Sequence, residues 1–567
     1  MKPFISFLIT FLLLTLQSST SHASPQNSPH SPLYSSFLQC LTNHTHNSTI
    51  PISHTLYTQS NASYAPILQS YIRNARFNTS STPKPSLILT PFEPSHVQSS
   101  VICAKSLDLR LRIRSGGHDY EGISYTAAGI DRPFVVLDMF NLRNVVVDVE
   151  NEVAVVQSGA TLGEFYYGIW EKSKVHGFPS GVCPTVGVGG HFSGGGYGNM
   201  IRKYGLSIDH IIDAEMVDSN GRILTRESMG EDLFWAIRGG GGASFGVILS
   251  YTVKLVSVPE NVTVFRVQKN TLFQQNNVTN LTNNNLTDLV FQWQEVAPHT
   301  DNRLFMRLQL QPVITKEERK RSITTIRASI LGMFLGESEE LVKILDNEFP
   351  LLGLKKQNCR VMGWIESTMF WASFPNGSKP ISLLDRKIDS ANFLKRKSDY
   401  VETPISKSGL DWIWKKMMEV GKTGLVFNPY GGVLNEIPSD ATPFPHRAGK
   451  LFKVQYSVNW EEGGEEAERN YTSGIRRLYS YMTPFVTKNP RCAFLNYRDL
   501  DIGVNHHGNN SYEEGEVYGF KYFNDNFYRL VKVKSEVDPQ NFFRNEQSIP
   551  TFPTNMKHKS DMQHKTY

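Results

Sequence analysis

The clearest period in the chain is a two-residue alternation late in the sequence. In Arg303–Gln311, Leu304, Met306, Leu308 and Leu310 share one face. Arg303, Arg307, Gln309 and Gln311 share the other, interrupted only by Phe305. In Leu451–Trp460, Phe452, Val454, Tyr456, Val458 and Trp460 alternate with Lys453, Gln455, Ser457 and Asn459. Such segments predict antiparallel strands with one buried and one polar face. Between them, Glu337–Phe349 sets Leu341, Ile344, Leu345 and Phe349 on one side of a helix. The second half therefore reads as an antiparallel sheet backed by helices, its polar face either lining a cleft or meeting solvent.

The first half is patterned differently. Residues 86–113 read as strand (Ser86–Thr90), helix (Ser95–Leu107) and strand (Leu109–Ile113). Phe134–Asp138, Val145–Asp148 and Glu152–Gln157 are short β-branched runs, and strands with short helices continue to about Val258. This predicts a mixed α+β domain rich in glycine turns. The Ser/Pro-rich residues 24–35 read as loose chain, and the Asn-rich residues 272–287 as a hinge between the two styles.

The N-terminus has its own signature. Lys2 precedes an apolar run from Phe4 to Leu16. At 1.5 Å per residue that run spans about 20 Å, short of a bilayer core of ~30 Å. Ser21 and Ala23 fit the small-x-small pattern of a cleavage site, so residues 1–23 are expected to be a signal peptide. The 567-residue chain is 40% hydrophobic and 20% charged, enough for a large core. Its net charge of +5 is too small and too dispersed for nucleic-acid binding or a polybasic membrane contact. Eleven Asn-x-Ser/Thr sequons add to the expectation of a secreted glycoprotein. The five cysteines, Cys40, Cys103, Cys183, Cys359 and Cys492, are an odd number for an oxidising compartment. One thiol is therefore free and buried, paired between chains, or bonded to something other than sulfur.

Candidate chemistry concentrates in three glycine loops: Arg114–Gly122, Ser180–Gly198 and Arg238–Gly246. Consecutive backbone N–H groups without Cβ atoms nearby make anion nests, for which a pyrophosphate is a natural guest. None of the loops has the strand–GxGxxG–helix context of a nicotinamide site or the Walker A pattern. His118, His191 and Cys183 lack zinc-ligand spacing, so no metal is expected. The adjacent His506 and His507 read as a polar surface loop. His118 and Cys183 are nucleophilic side chains, each set in a glycine loop.

From about Ser36 to Pro553 the sequence resembles the berberine bridge enzyme-like flavoproteins of plants, within the broader fold of vanillyl-alcohol oxidase and p-cresol methylhydroxylase. The resemblance rests on Arg114–Gly122, Gly181–Gly198, Asn199–His210, Asp232–Gly242, Thr442–Arg447, Asn496–Asp501 and Val537–Arg544. It implies an α+β fold with a bipartite PCMH-type FAD-binding domain and a substrate domain whose antiparallel sheet is backed by helices. The implied boundaries are 24–80 and 81–258 for the FAD domain, 259–489 for the substrate domain, 490–553 for a returning segment and 554–567 for a tail. It implies FAD attached twice, through its 8α-methyl carbon to His118 and its ring carbon 6 to Cys183, and a Cys40–Cys103 disulfide. Ser115, Gly116, Gly117, Gly187, Gly189, Gly190, His191, Gly194, Gly195, Tyr197, Gly198 and Asn496 match cofactor-binding positions. Tyr120, Tyr197 and Gln455 match substrate-side positions, and Tyr497 matches a tyrosine base. Gln455 stands where the alkaloid-oxidising type member has a catalytic Glu; an amide is no base at neutral pH, which argues against berberine-bridge chemistry. As base, Tyr497 must fall from a pKa of about 10, and Lys453 is the expected positive neighbour. Val186 matches a gate for oxygen, with Val associated with oxidases.

The resulting expectation is a secreted, monomeric flavoprotein oxidase, extracellular or in the cell wall, with the vacuole as a further location. It is expected to take hydride from an alcohol-type small molecule, a monolignol or carbohydrate, to flavin N5 and to reduce O₂ to hydrogen peroxide. The alternatives are a dehydrogenase with another acceptor, an oxidative or pericyclic cyclase, and a non-enzymatic defence or storage glycoprotein.

Overall fold

The computed structural model describes residues 31–127, 132–270, 284–316, 322–387 and 391–553. The expected signal peptide and tail, and most of the expected hinge, lie outside them. Three sheets carry the architecture. The first, of four strands, runs Leu56–Thr58, Leu87–Leu89, Phe134–Asp138, Arg110–Arg114. Phe134–Asp138 is parallel to both Leu87–Leu89 and Arg110–Arg114. The second is five-stranded and antiparallel, in the order Val145–Asp148, Val153–Gln157, Val247–Lys254, Ile211–Val217, Ile223–Leu224. The third has seven antiparallel strands, with Leu304–Lys316, Gly424–Pro429, Phe452–Trp460 and the edge strand Phe393–Val401 adjacent in that order. The fold is α+β, as the sequence pattern implies.

Alternation decides which face of the seven-stranded sheet is dry. Leu304, Met306, Leu308 and Leu310, with Val454, Tyr456, Val458 and Trp460, enter one core against helices that include Ser338–Glu348 and Lys407–Val420. Phe305 points the other way, packing 6.1 Å from Tyr197 and 5.9 Å from Trp371. It interrupts the polar face because there the sheet meets the five-stranded half, whose core it joins. The polar face thus divides: Lys453 is buried against that half, whereas Asn459 is exposed.

Two expectations change. Helix Pro32–His44 starts inside the stretch read as loose, because Ser31 caps the Tyr34 amide at 3.3 Å and proline occupies the first turn. Helix Asn284–Val296 starts inside the segment read as a hinge. Leu286, Leu289, Val290 and Trp293 recur at helical spacing and are buried, which outweighs the asparagines around them. Cys40 and Cys103 form a disulfide with their Cα atoms 5.8 Å apart, tying Pro32–His44 to Pro94–Ser106. Cys183, Cys359 and Cys492 are free.

Candidate active site

A cavity of about 330 Å³ opens between the glycine segments and the polar face of the seven-stranded sheet. One wall is Ser115–Tyr120, which follows strand Arg110–Arg114; another is the segment from Gly181 to Tyr197. These segments touch as only glycine permits: a Cβ on Gly116 would lie 2.2 Å from the Gly187 backbone nitrogen. That approach brings His118 and Cys183 to one cavity. Above Gly190 there is open space, with no atom within 4 Å of a Cβ placed there. Asn496 fastens the second loop, donating to the Gly190 carbonyl at 3.1 Å and accepting from the Gly196 N–H at 3.0 Å. Ser115 donates to the Ser158 carbonyl at 2.6 Å.

Most residues singled out in the sequence meet here. Ser115, Gly116, Gly117, His118, Tyr120, Cys183, Val186, Gly187, Gly189, Gly190, His191, Gly194, Tyr197, Asn496 and Tyr497 all line the cavity. Gly195 and Gly198 stand behind the wall, where a Cβ on Gly198 would strike the Ser180 carbonyl. Gln455 also stands back, donating to the Tyr120 hydroxyl at 3.3 Å. His507 is half-buried, its Nε2 paired with the Asn545 carbonyl at 2.9 Å beside the cavity wall, while His506 is exposed and faces Glu514.

The substrate side is aromatic and basic. The Tyr120 and Tyr497 rings lie 5.9 Å apart, and the Phe494 ring lies 5.0 Å from Tyr497. Tyr197 donates to Asn428 Oδ1 at 2.5 Å and receives Arg307 Nη2 at 3.2 Å. The Lys453 ammonium sits 3.8, 3.7 and 4.2 Å from the centroids of Tyr197, Phe494 and Tyr497. Among the described residues it has no hydrogen-bond partner. Burial, reinforced by Arg307, drives its pKa well below the ordinary lysine value. Burial also pushes the Tyr497 phenol well above 10, and Tyr120 and Tyr197 add to the rise. The expectation that Lys453 lowers Tyr497 is therefore not met by the protein alone: an unpaired ammonium in a dry wall sheds its own proton first. Arg307 keeps its charge despite burial because the Tyr197 and Tyr497 phenols favour it. Burial also lowers His118 and His191 to about 3, leaving both imidazoles neutral and His118 nucleophilic at neutral pH. Arg307, Asn428 and Phe494 carried no signal of function in the sequence beyond the place of Arg307 on a polar strand face.

Known proteins agree with this geometry. Residues 85–226 match the family model described as an FAD binding domain, and residues 493–550 the one described as berberine and berberine like. Berberine bridge enzyme-like 21 of Arabidopsis thaliana is 56% identical over 97% of this chain and 98% of its own length. The chain belongs to the berberine bridge enzyme-like family.

Within that family, the berberine bridge enzyme of Eschscholzia californica superposes with a TM-score of 0.83 at 35% identity, covering 91% of this chain and 99% of its own. The grass pollen allergen Phl p 4, described as having glucose dehydrogenase activity, gives 0.83 at 40% identity, covering 91% and 100%. A Phl p 4 variant described as a glucose oxidase carries Val and His, five residues apart, in place of Ile and Asn. The berberine bridge enzyme-like chain described here is thus an FAD-dependent oxidoreductase, and its cavity fits that cofactor. Arg112 lines it with the side chain 2% exposed, one nitrogen on Glu546, and Nε and Nη1 without partners among the described residues. Buried guanidinium donors left open beside a glycine nest suit a diphosphate.

Proposed function

We propose that this chain is a secreted oxidase that carries FAD on both His118 and Cys183 and oxidises a carbohydrate or another alcohol-type donor. The observation that carries the reading is the convergence, in one cavity, of a neutral imidazole and a free thiol with Tyr120, Tyr197 and Tyr497. FAD held by His118 and Cys183 would supply a two-electron acceptor for the donor's hydride, with O₂ as the oxidant that regenerates it. The tyrosines orient the donor hydroxyl, and two attachment points hold the acceptor in one pose, which removes an ordering cost at each turnover. Proton removal falls to the tyrosines, because Gln455 only donates to Tyr120. Lys453 stands over the rings of Tyr197 and Tyr497, and with its pKa held down by burial and Arg307 it places an exchangeable proton beside both phenols.

Val186, on the cavity wall, supports oxygen as the acceptor: a Phl p 4 variant with Val alone in place of Ile is described as a glucose oxidase, whereas one with His alone in place of Asn is described as a glucose dehydrogenase. Export is supported by the disulfide and by the sequons. Asn43, Asn47, Asn61, Asn78, Asn261, Asn376, Asn470 and Asn509, all those with described side chains, are exposed. Among the described residues no helix is long and apolar enough to cross a membrane. Mass spectrometry of proteolytic fragments tests the reading. The peptides holding His118 and Cys183 are expected to be joined through one flavin, and both at their bare masses would refute it. Anaerobic bleaching of the flavin by D-glucose, oligogalacturonides or cinnamyl alcohols then identifies the donor. Slow reoxidation in air would favour the dehydrogenase alternative.

A further inference from the structure

Behind the tyrosines, on the far side from the cavity, runs an ionic network that no step above uses. Lys395 and Lys397, on the edge strand Phe393–Val401, are buried with side chains 2% exposed. Lys395 pairs with Glu121 and, at 2.8 Å, with Asp499; Lys397 reaches Asp499 at 2.5 Å and Asp501 at 3.0 Å. Arg476 closes the network on Asp501 at 2.7 Å. Glu121 directly follows Tyr120, and Asp499 lies two residues after Tyr497. A third tie comes from the N-terminal segment. Asn74, fully buried, donates to the Tyr120 carbonyl at 2.8 Å and to the Leu394 carbonyl at 3.2 Å, and accepts from the Leu394 N–H at 3.3 Å.

We propose that Asn74, Lys395 and Lys397 are positioning residues, a clamp that fixes Tyr120 and Tyr497 against one edge strand at the separation the donor requires. This rests on the functional reading above. Four cations, Lys395, Lys397, Arg476 and Arg76, face four carboxylates, Glu121, Asp499, Asp501 and Glu468, so the clamp delivers no net charge to the cavity and acts through geometry. Two loops distant in sequence, 119–124 and 496–501, can keep a 5.9 Å ring separation only if something outside the cavity ties them to a common frame. Strand Phe393–Val401 is that frame, because as an edge strand it presents one flank to both loops.

The test uses flavin-loaded enzyme, with D-glucose as the probe and kcat expressed per bound flavin. The variants are Asn74→Leu and, to keep charges even, Lys395→Met combined with Glu121→Gln. Each is expected to lower kcat by about tenfold or more while KM moves less than about threefold, since the loss is one of alignment. Arg447→Met is the control for stability alone: it breaks the equally buried Arg447–Asp209 pair, which touches neither tyrosine. Asn74→Asp keeps the acceptor but loses the donor to Tyr120, and it carries the same expectation if Asn74→Leu does not fold. A kcat within about twofold of wild type in the clamp variants, or an equal loss in the Arg447 variant at matched Tm, overturns the clamp. If wild type does not oxidise glucose, the reading of a glucose-type donor has failed. The clamp is then judged on the crystal structure of the Asn74 variant. A ring separation changed by about 1 Å or more supports it, and an unchanged one overturns it.

Discussion

Two lysines with no solvent exposure divide this molecule into opposite kinds of interior. Lys534, on helix Asn526–Val537, donates to Asp538 at 2.7 Å and to the Ser244 and Phe543 carbonyls at 2.6 and 2.7 Å. Lys453, on strand Phe452–Trp460, has three aromatic faces around it and no acceptor. Burial lowers the pKa of both, to about 8 for Lys534, where Asp538 resists the fall, and well below the ordinary value for Lys453. The first is a finished structural joint. The second is a polar group held out of water with nothing among the described residues to pair with, an arrangement that concentrates at functional sites. Arg202 belongs to the first kind, spending its guanidinium on the carbonyls of Pro298, Thr300, Asp301, Leu304 and Tyr430. Arg112, with two open nitrogens on the cavity wall, belongs to the second.

The sharpest break between the two is expected from Lys534→Met. It strands a buried carboxylate and two carbonyls and should cost roughly 3–5 kcal/mol in a denaturant or thermal titration. A loss below about 1 kcal/mol would erase the distinction. The next effect is a pH dependence. His446 is fully buried, packed 4.4 Å from the Tyr400 ring, and burial lowers its pKa to about 3, against about 6.5 in an unfolded chain. Between those values the unfolded chain binds the proton and the folded one does not. Stability is therefore complete above about 6.5 and is lost as pH falls towards 3, by roughly 3 kcal/mol at pH 4. A His446→Phe variant that folds should reduce that slope by about one proton, the share His446 holds beside His118, His191 and His507, which burial lowers likewise; an unchanged slope places the titration elsewhere. The smallest effect on stability, and the most telling, is expected from Lys453→Met. Filling the same volume with apolar atoms should leave stability unchanged or raise it by roughly 1–2 kcal/mol, while turnover falls about tenfold or more. A destabilised Lys453 variant would show that this lysine, too, is a structural joint.

How much of this was legible beforehand depends on how far apart the partners stand in the chain. The alternation in Leu451–Trp460 placed Lys453 and Gln455 on one face, and that face does meet the cavity. The glycine loops located His118 and Cys183, because close backbone approach leaves a compositional mark. Helix Asn284–Val296 was hidden by its asparagines although its apolar spacing was present. What no local pattern carried was the unpaired state of Lys453 or the company of Arg307 and Asn428. Those depend on which side chains from remote strands fail to arrive. The same holds for Asn74, whose sequence surroundings are those of any loop asparagine.

Asn74 also sets a schedule. Its partner Leu394 is 320 residues further along the chain. At 5–20 residues per second, synthesis needs roughly 16–64 seconds to cover that distance. Through that interval Asn74 can hold the Tyr120 carbonyl, 46 residues away, but not the strand that fixes both. The pair of tyrosines is therefore among the last features of the newborn protein to be set in place, and helpers that guard the N-terminal segment during synthesis have that long in which to act.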